Sequence, residues 1–176
     1  MDSCGQCGFV YGELPRHHIA DATRSVAAQY RPRLGGGDGL RRRPSAEVWS
    51  PLEYAVHVRD VLAVQRERTM VALLRDAPTF ESMRPEERVV EQRYNEQDPT
   101  EVGRQIIGMA DALASLLESL SPAEWERIGV YNWPERAVRD VEWISRHTVH
   151  ELIHHLFDMA RSLQDQPGTP TGIGSG

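Results

Sequence analysis

Apolar residues recur along this chain every three or four positions, the period of one helix face, in four long stretches. Ile19, Ala22, Val26, Ala27 and Tyr30 mark the first, which starts near Pro15. The second turns Tyr54, His57, Val58, Val61, Leu62 and Val64 inward and Glu53, Arg59, Asp60, Arg66 and Arg68 to water. Val102, Ile106, Met109, Ala110, Leu113, Leu116, Leu117 and Leu120 form a continuous seam in the third. The fourth, from about Arg136 to Leu163, is apolar on most sides through Val141, Ile144, Val149, Leu152, Ile153, Leu156, Phe157 and Ala160, and is expected to be the most buried.

Three helix starts share one signature: Ser50-Pro51-Leu52-Glu53, Asp98-Pro99-Thr100-Glu101 and Ser121-Pro122-Ala123-Glu124. In each, a capping oxygen precedes a proline at the first helical position, and the glutamate two residues later closes a capping box. These starts open helices to about Asp76 and about Leu120, and a short turn through Trp125. Gly35-Gly36-Gly37-Asp38-Gly39 breaks regular structure, and Arg41-Arg42-Arg43 reads as a solvated loop. Residues 77–97 read as a connection with one helical turn after Pro85, and Tyr131-Asn132-Trp133-Pro134 interrupts the chain before the last helix. There Tyr131 and Trp133 either pack or cover a pocket. The pattern contains no strand alternation, no fixed repeat and no glycine-rich phosphate loop. It predicts an all-α fold, a four-helix bundle over 14–164, with an N-terminal segment at 1–13 and a Pro/Gly/Ser-rich tail at 165–176.

Length supports this reading, since 176 residues fill one domain with a single core. A net charge of −6 argues against nucleic acid as a partner. Every basic residue except the histidines is arginine, which reads as the codon bias of a GC-rich genome. There is no apolar run of the roughly 18–20 residues that cross a bilayer, and Met1–Gly8 lacks the features of a secretory signal. A cytoplasmic protein without membrane contact is expected.

Candidate chemistry concentrates in His147-Thr148-Val149-His150-Glu151-Leu152-Ile153-His154-His155. On a helix His147, His150 and His154 share a side, and the i, i+4 pair His150/His154 can reach one cation. Glu151 and His155 then look elsewhere. His150-Glu151-Leu152-Ile153-His154 also spells the metalloprotease pattern, although no further ligand is evident downstream. His57, a polar ring on an apolar stripe, is placed to supply a third ligand from a facing helix. The pair Cys4-Gly5-Gln6-Cys7 resembles half of a zinc knuckle that His17-His18 could complete, or a redox pair, or a frayed terminus.

Trp49-Ser50-Pro51 followed by His57, together with the late His150-x-x-x-His154-His155, resembles the DinB/YfiT-like superfamily of four-helix-bundle metalloproteins, over about Leu14 to Leu163. The resemblance implies metal ligation by His57, His150 and His154. It also relates the chain to mycothiol-dependent maleylpyruvate isomerase and to thiol S-transferases. The Cys4-x-x-Cys7-Gly8-Phe9 opening resembles that of an actinobacterial subgroup, which fits the arginine-only composition. Two departures stand out. Leu156-Phe157-Asp158 replaces the family's frequent Arg-Gly-Gln. The isomerising relatives carry a glutamate where the first histidine of the pair is read here.

Three imidazoles would leave an open position on a divalent ion, zinc by default, with nickel, iron(II) or manganese also suited. The resemblance then implies a transferase that activates a mycothiol-like thiol against a small-molecule electrophile, with His147 and His155 in supporting or proton-transfer roles. A homodimer is compatible with it. Hydrolysis by metal-bound water and a non-catalytic metal-binding stress-response protein are the alternatives.

Overall fold

The structure, a computed structural model, describes residues 3–37, 39–132 and 135–166. Four long helices form the bundle: α1 (Ile19–Ala28, continued by the short α2, Tyr30–Arg33), α3 (Pro51–Leu74), α5 (Pro99–Glu118) and α7 (Val141–Gln164). The short helices α4 (Pro85–Glu91) and α6 (Pro122–Trp125) lie in the connections. α3 packs against α7 and α5, and α1 against α5 and α7. Leu52, Val56, Leu62, Ile106, Leu113, Ile144, Val149 and Leu152 meet in the middle.

The helix starts form as their sequence dictates, with one difference. Ser50 and Glu53 make the reciprocal box, Glu53 N–H to Ser50 Oγ at 3.2 Å and Ser50 N–H to Glu53 Oε2 at 2.8 Å. Glu124 likewise accepts from the Ser121 N–H at 2.8 Å. Asp98 caps the Glu101 N–H at 2.8 Å, but Glu101 turns to Arg104 and Gln105 instead of reaching back.

Several expectations are corrected. A small sheet joins β1 (Thr79–Phe80), β2 (Ile128–Tyr131) and β3 (Ala137–Asp140), with β1 parallel and β3 antiparallel to β2. β3 occupies what reads as the start of the last helix, so α7 begins at Val141, where Asp140 Oδ1 accepts the Trp143 N–H at 2.7 Å. Phe80 lies over Gly129 so closely that a Cβ there would stand 2.1 Å from Cε2 of its ring. α3 is more deeply buried than α7, and Phe157 is 45% exposed. Glu53 and Asp60, expected in water, are buried beneath the 3-10 turn Tyr94–Glu96 and the preceding loop. Arg43 pairs with Glu53 at 2.7 Å, while Arg59 (2.7 Å) and the Tyr94 hydroxyl (2.6 Å) hold Asp60. The triple-arginine loop is held as well as solvated: Arg41 and Arg42 are exposed, yet Arg41 reaches the Asn95 and Gln97 carbonyls and Arg42 reaches Gln166.

Residues 3–13 are seated on α7, not apart from the bundle. Of the expected tail, Asp165 donates its N–H to the Arg161 carbonyl (3.0 Å), Gln166 is buried and donates to the Gly39 (2.6 Å) and Arg42 (2.9 Å) carbonyls, and residues 167–176, like Trp133, lie outside the described residues. No helix among the described residues is long and apolar enough to cross a membrane.

Candidate metal centre

α7 carries two i, i+4 pairs displaced by one position, His150/His154 and Glu151/His155. One position turns a helix by about 100°, so the two pairs address different neighbours. Glu151 and His155 meet His57 of α3, with one ligand-capable atom from each of the three lying within 4.8 Å of the others. The His57 and His155 rings cross edge to face at 4.8 Å. His150 and His154 instead meet Cys4 and Cys7, and these four form a second group within the same limit.

The expected set His57, His150 and His154 is thus not brought together: no group among the described residues joins His57 to either of the other two. Burial of Val149 and Leu152 against α3 and α1 fixes the rotation of α7, and the N-terminal segment takes the face that carries His150 and His154. Glu151 and His155, expected to look elsewhere, are the residues that meet His57. His17 and His18 are exposed and belong to neither group.

Two members of the His57 group are in the charge state that a cation requires, and the third reaches it by losing one proton. Burial, then the charge of His155, pushes His57 down to about 3, so its ring is neutral at physiological pH. Its Nδ1 is buried with no hydrogen-bond partner, a costly arrangement unless something else occupies that lone pair. Burial disfavours the charged form of His155, but Asp158 and Glu151 outweigh it and push the ring up to about 9. Asp158 Oδ2 lies 3.0 Å from His155 Nδ1, leaving Nε2 turned to Glu151 Oε2 at 3.5 Å. A carboxylate behind a histidine in this way fixes the tautomer a ligand needs. Burial alone would raise Glu151, yet its contacts with His150 and His155 hold it well below the usual carboxylate range. A neutral imidazole, an ionised carboxylate and an imidazole whose second proton a cation can replace fit a divalent ion. Trp49 against His57 (5.2 Å) and Tyr54 stacked on His155 (5.6 Å) wall the group.

His147 lies one turn before Glu151. Its Nδ1 is 2.8 Å from the Tyr11 hydroxyl, its Nε2 is 3.7 Å from Glu151 Oε1, and Trp143 stacks on it at 4.7 Å. Burial lowers its pKa, so the ring is uncharged at neutral pH. The metalloprotease reading meets an obstacle, because Cys4 and Cys7 close the His150/His154 pair and Glu151 serves the other group. Sequence reasoning missed Tyr11, Glu151 and Asp158 as site residues. Asp158 had a signal, its i+3 and i+4 spacing from His155 and His154.

Comparison with known proteins agrees with the fold. A solved structure, YfiT from Bacillus subtilis, superposes with a TM-score of 0.78 at 13% identity, over 86% of this chain and 87% of that one. It is described as a probable metal-dependent hydrolase with an unusual four-helix bundle topology. No curated protein matches the chain. The profile of the DinB superfamily matches residues 21–159. Those residues span all four bundle helices and both partners of the His57 group, and the chain belongs to the DinB superfamily.

Proposed function

We propose that this protein is a divalent-metal-dependent enzyme in which His57, Glu151 and His155 hold the ion and a small thiol of the mycothiol type is activated for transfer to an electrophile. One observation carries the reading: the α7 residues facing His57 are Glu151 and His155, not His150 and His154. With the pair read one position later, a glutamate stands in its first place, the arrangement that the resemblance ascribes to thiol-dependent relatives.

Two imidazoles and one carboxylate leave a coordination position free, as catalytic sites with three protein ligands do. A bound divalent ion, zinc first and nickel, iron or manganese as alternatives, would make a thiol arriving there a thiolate at neutral pH. Glu151 contributes the negative charge that keeps the site near neutrality, and Asp158 holds the His155 ring in register. His147, held through Nδ1 by Tyr11, is positioned to take the thiol proton at Nε2. His155 moves from a proton-transfer role to ligation. The partners on this reading are a small thiol and a small electrophile, in the cytoplasm, without nucleic acid or membrane.

The test is a turnover screen of the metal-loaded protein against electrophiles, with and without mycothiol. Consumption of electrophile only when thiol and metal are both present supports the reading, and His57→Ala and His155→Ala should abolish it together with metal at this group. Turnover that needs metal but no thiol would replace it with hydrolysis, the second reading, which the description of YfiT favours.

A further inference from the structure

Cys4, Cys7, His150 and His154 lie outside the centre proposed above, and nothing in that chemistry uses them. We propose that these four residues form a second metal site, a closed Cys2His2 zinc site that staples the N-terminal segment to α7.

The chain folds its start into a knuckle. The Cys4 N–H donates to the Phe9 carbonyl (2.8 Å), the Gly8 N–H donates to the Cys4 carbonyl (2.9 Å), and Ser3 bridges Val10. Gly8 sits at φ +75°, a left-handed conformation that glycine adopts without strain. This turn presents both sulfurs on one side. His150 and His154, one helical turn apart, face them.

The distances suit zinc. Tetrahedral coordination with Zn–S near 2.3 Å and Zn–N near 2.0–2.1 Å spaces ligand atoms about 3.3–3.8 Å apart. Cys4 Sγ and His154 Nδ1 are 3.6 Å apart, and all four ligand atoms lie within 4.8 Å of one another. The buried His150 ring is the second, independent sign. Neither of its nitrogens has a hydrogen-bond partner, although Nδ1 lies 3.2 Å from Glu151 Oε1 in a misaligned approach. Two unsatisfied buried nitrogens on one ring are expensive unless an ion takes one of them. His154 is backed by Asp158 Oδ2, 3.4 Å from its Nε2, which leaves Nδ1 to the sulfurs.

On binding, each thiol gives its proton to solvent and the two thiolates balance the dipositive ion. Four protein ligands leave no open position, which marks a structural site, in contrast to the three-ligand His57 group. Asp158 touches a histidine of each group, and Glu151 lies beside His150 while belonging to the His57 group. The staple therefore also fixes the rotation of the helix that carries the first centre.

The experiment is metal stoichiometry and cobalt spectroscopy on the full chain, purified reduced and loaded with zinc or cobalt(II) alone. Wild type should hold two equivalents of zinc per chain and the Cys4→Ser/Cys7→Ser variant one. The His57→Ala/His155→Ala variant should also hold one, and its cobalt form should keep a sulfur-to-cobalt charge-transfer band in the near ultraviolet. Absence of that band from both the wild-type and the His57→Ala/His155→Ala cobalt proteins overturns the proposal, even if the cysteine variant does not fold. So does zinc stoichiometry unchanged by the cysteine substitutions, or a Cys4–Cys7 disulfide in the freshly isolated protein. Failure of the thiol-transfer reading would leave the charge-transfer band, and the loss of one zinc equivalent on cysteine substitution, untouched, because these depend on different ligands.

Discussion

Asp158 shows how much a single side chain settles here. Its carboxylate is buried, receives Arg161 at 3.0 Å, and stands behind both His154 and His155. Asp158→Asn keeps the shape but removes the charge, so metal affinity should fall by roughly 10–100-fold, the usual effect of losing such a partner. Competition with a chromophoric chelator measures this, and unchanged affinity would remove Asp158 from the positioning role. Glu151→Gln should release metal from the His57 group while leaving the cysteine group loaded, as elemental analysis of the two cobalt forms can show. Helical spacing alone points the other way, placing Glu151 off the metal face. The sequence makes legible that α7 carries potential ligands four residues apart, but not which of two interleaved pairs meets α3. Both pairs satisfy the same spacing, and tertiary packing of core residues such as Val149 and Leu152 decides between them.

The helices themselves are legible because their signals are local. Ser50, Asp98 and Ser121 cap where their proline and glutamate partners say they should. Ser50→Ala should cost about 0.5–2 kcal/mol, read from the urea midpoint, since it also ends the 2.8 Å bond to Asn95 Oδ1. The sheet is not legible, because β1 has two residues and β3 alternates only weakly between half-buried and exposed positions. Neither is the burial of Asp60, whose cover comes from a 3-10 turn more than thirty positions away. Tyr94→Phe leaves that carboxylate one donor short in a buried place. The loss expected for a hydrogen bond to a charged group is about 1.5–3 kcal/mol. A change in urea midpoint with an unchanged slope would show it; no change would mean that Arg59 and Arg88 suffice.

On the proposed reading, the two groups tie α7 to α3 on one side and to residues 3–10 on the other. Removing metal with a chelator should therefore loosen one edge of the protein and not its middle. Amide exchange at Cys4 and Gly8 should rise sharply, while that of the α5 seam stays slow; uniform acceleration would instead mean global unfolding. Cys4 and His154 stand 150 positions apart, which has a consequence for biosynthesis. The knuckle leaves the ribosome well before its seat, so it waits through 150 positions of translation with both sulfurs uncovered. Contacts so distant in sequence form late, and on the proposed zinc site metal loading would be the closing event of maturation. If the proposed zinc site forms, a cell short of zinc, or under oxidative attack during synthesis, would produce chains whose bundle is complete but whose knuckle has never met its seat.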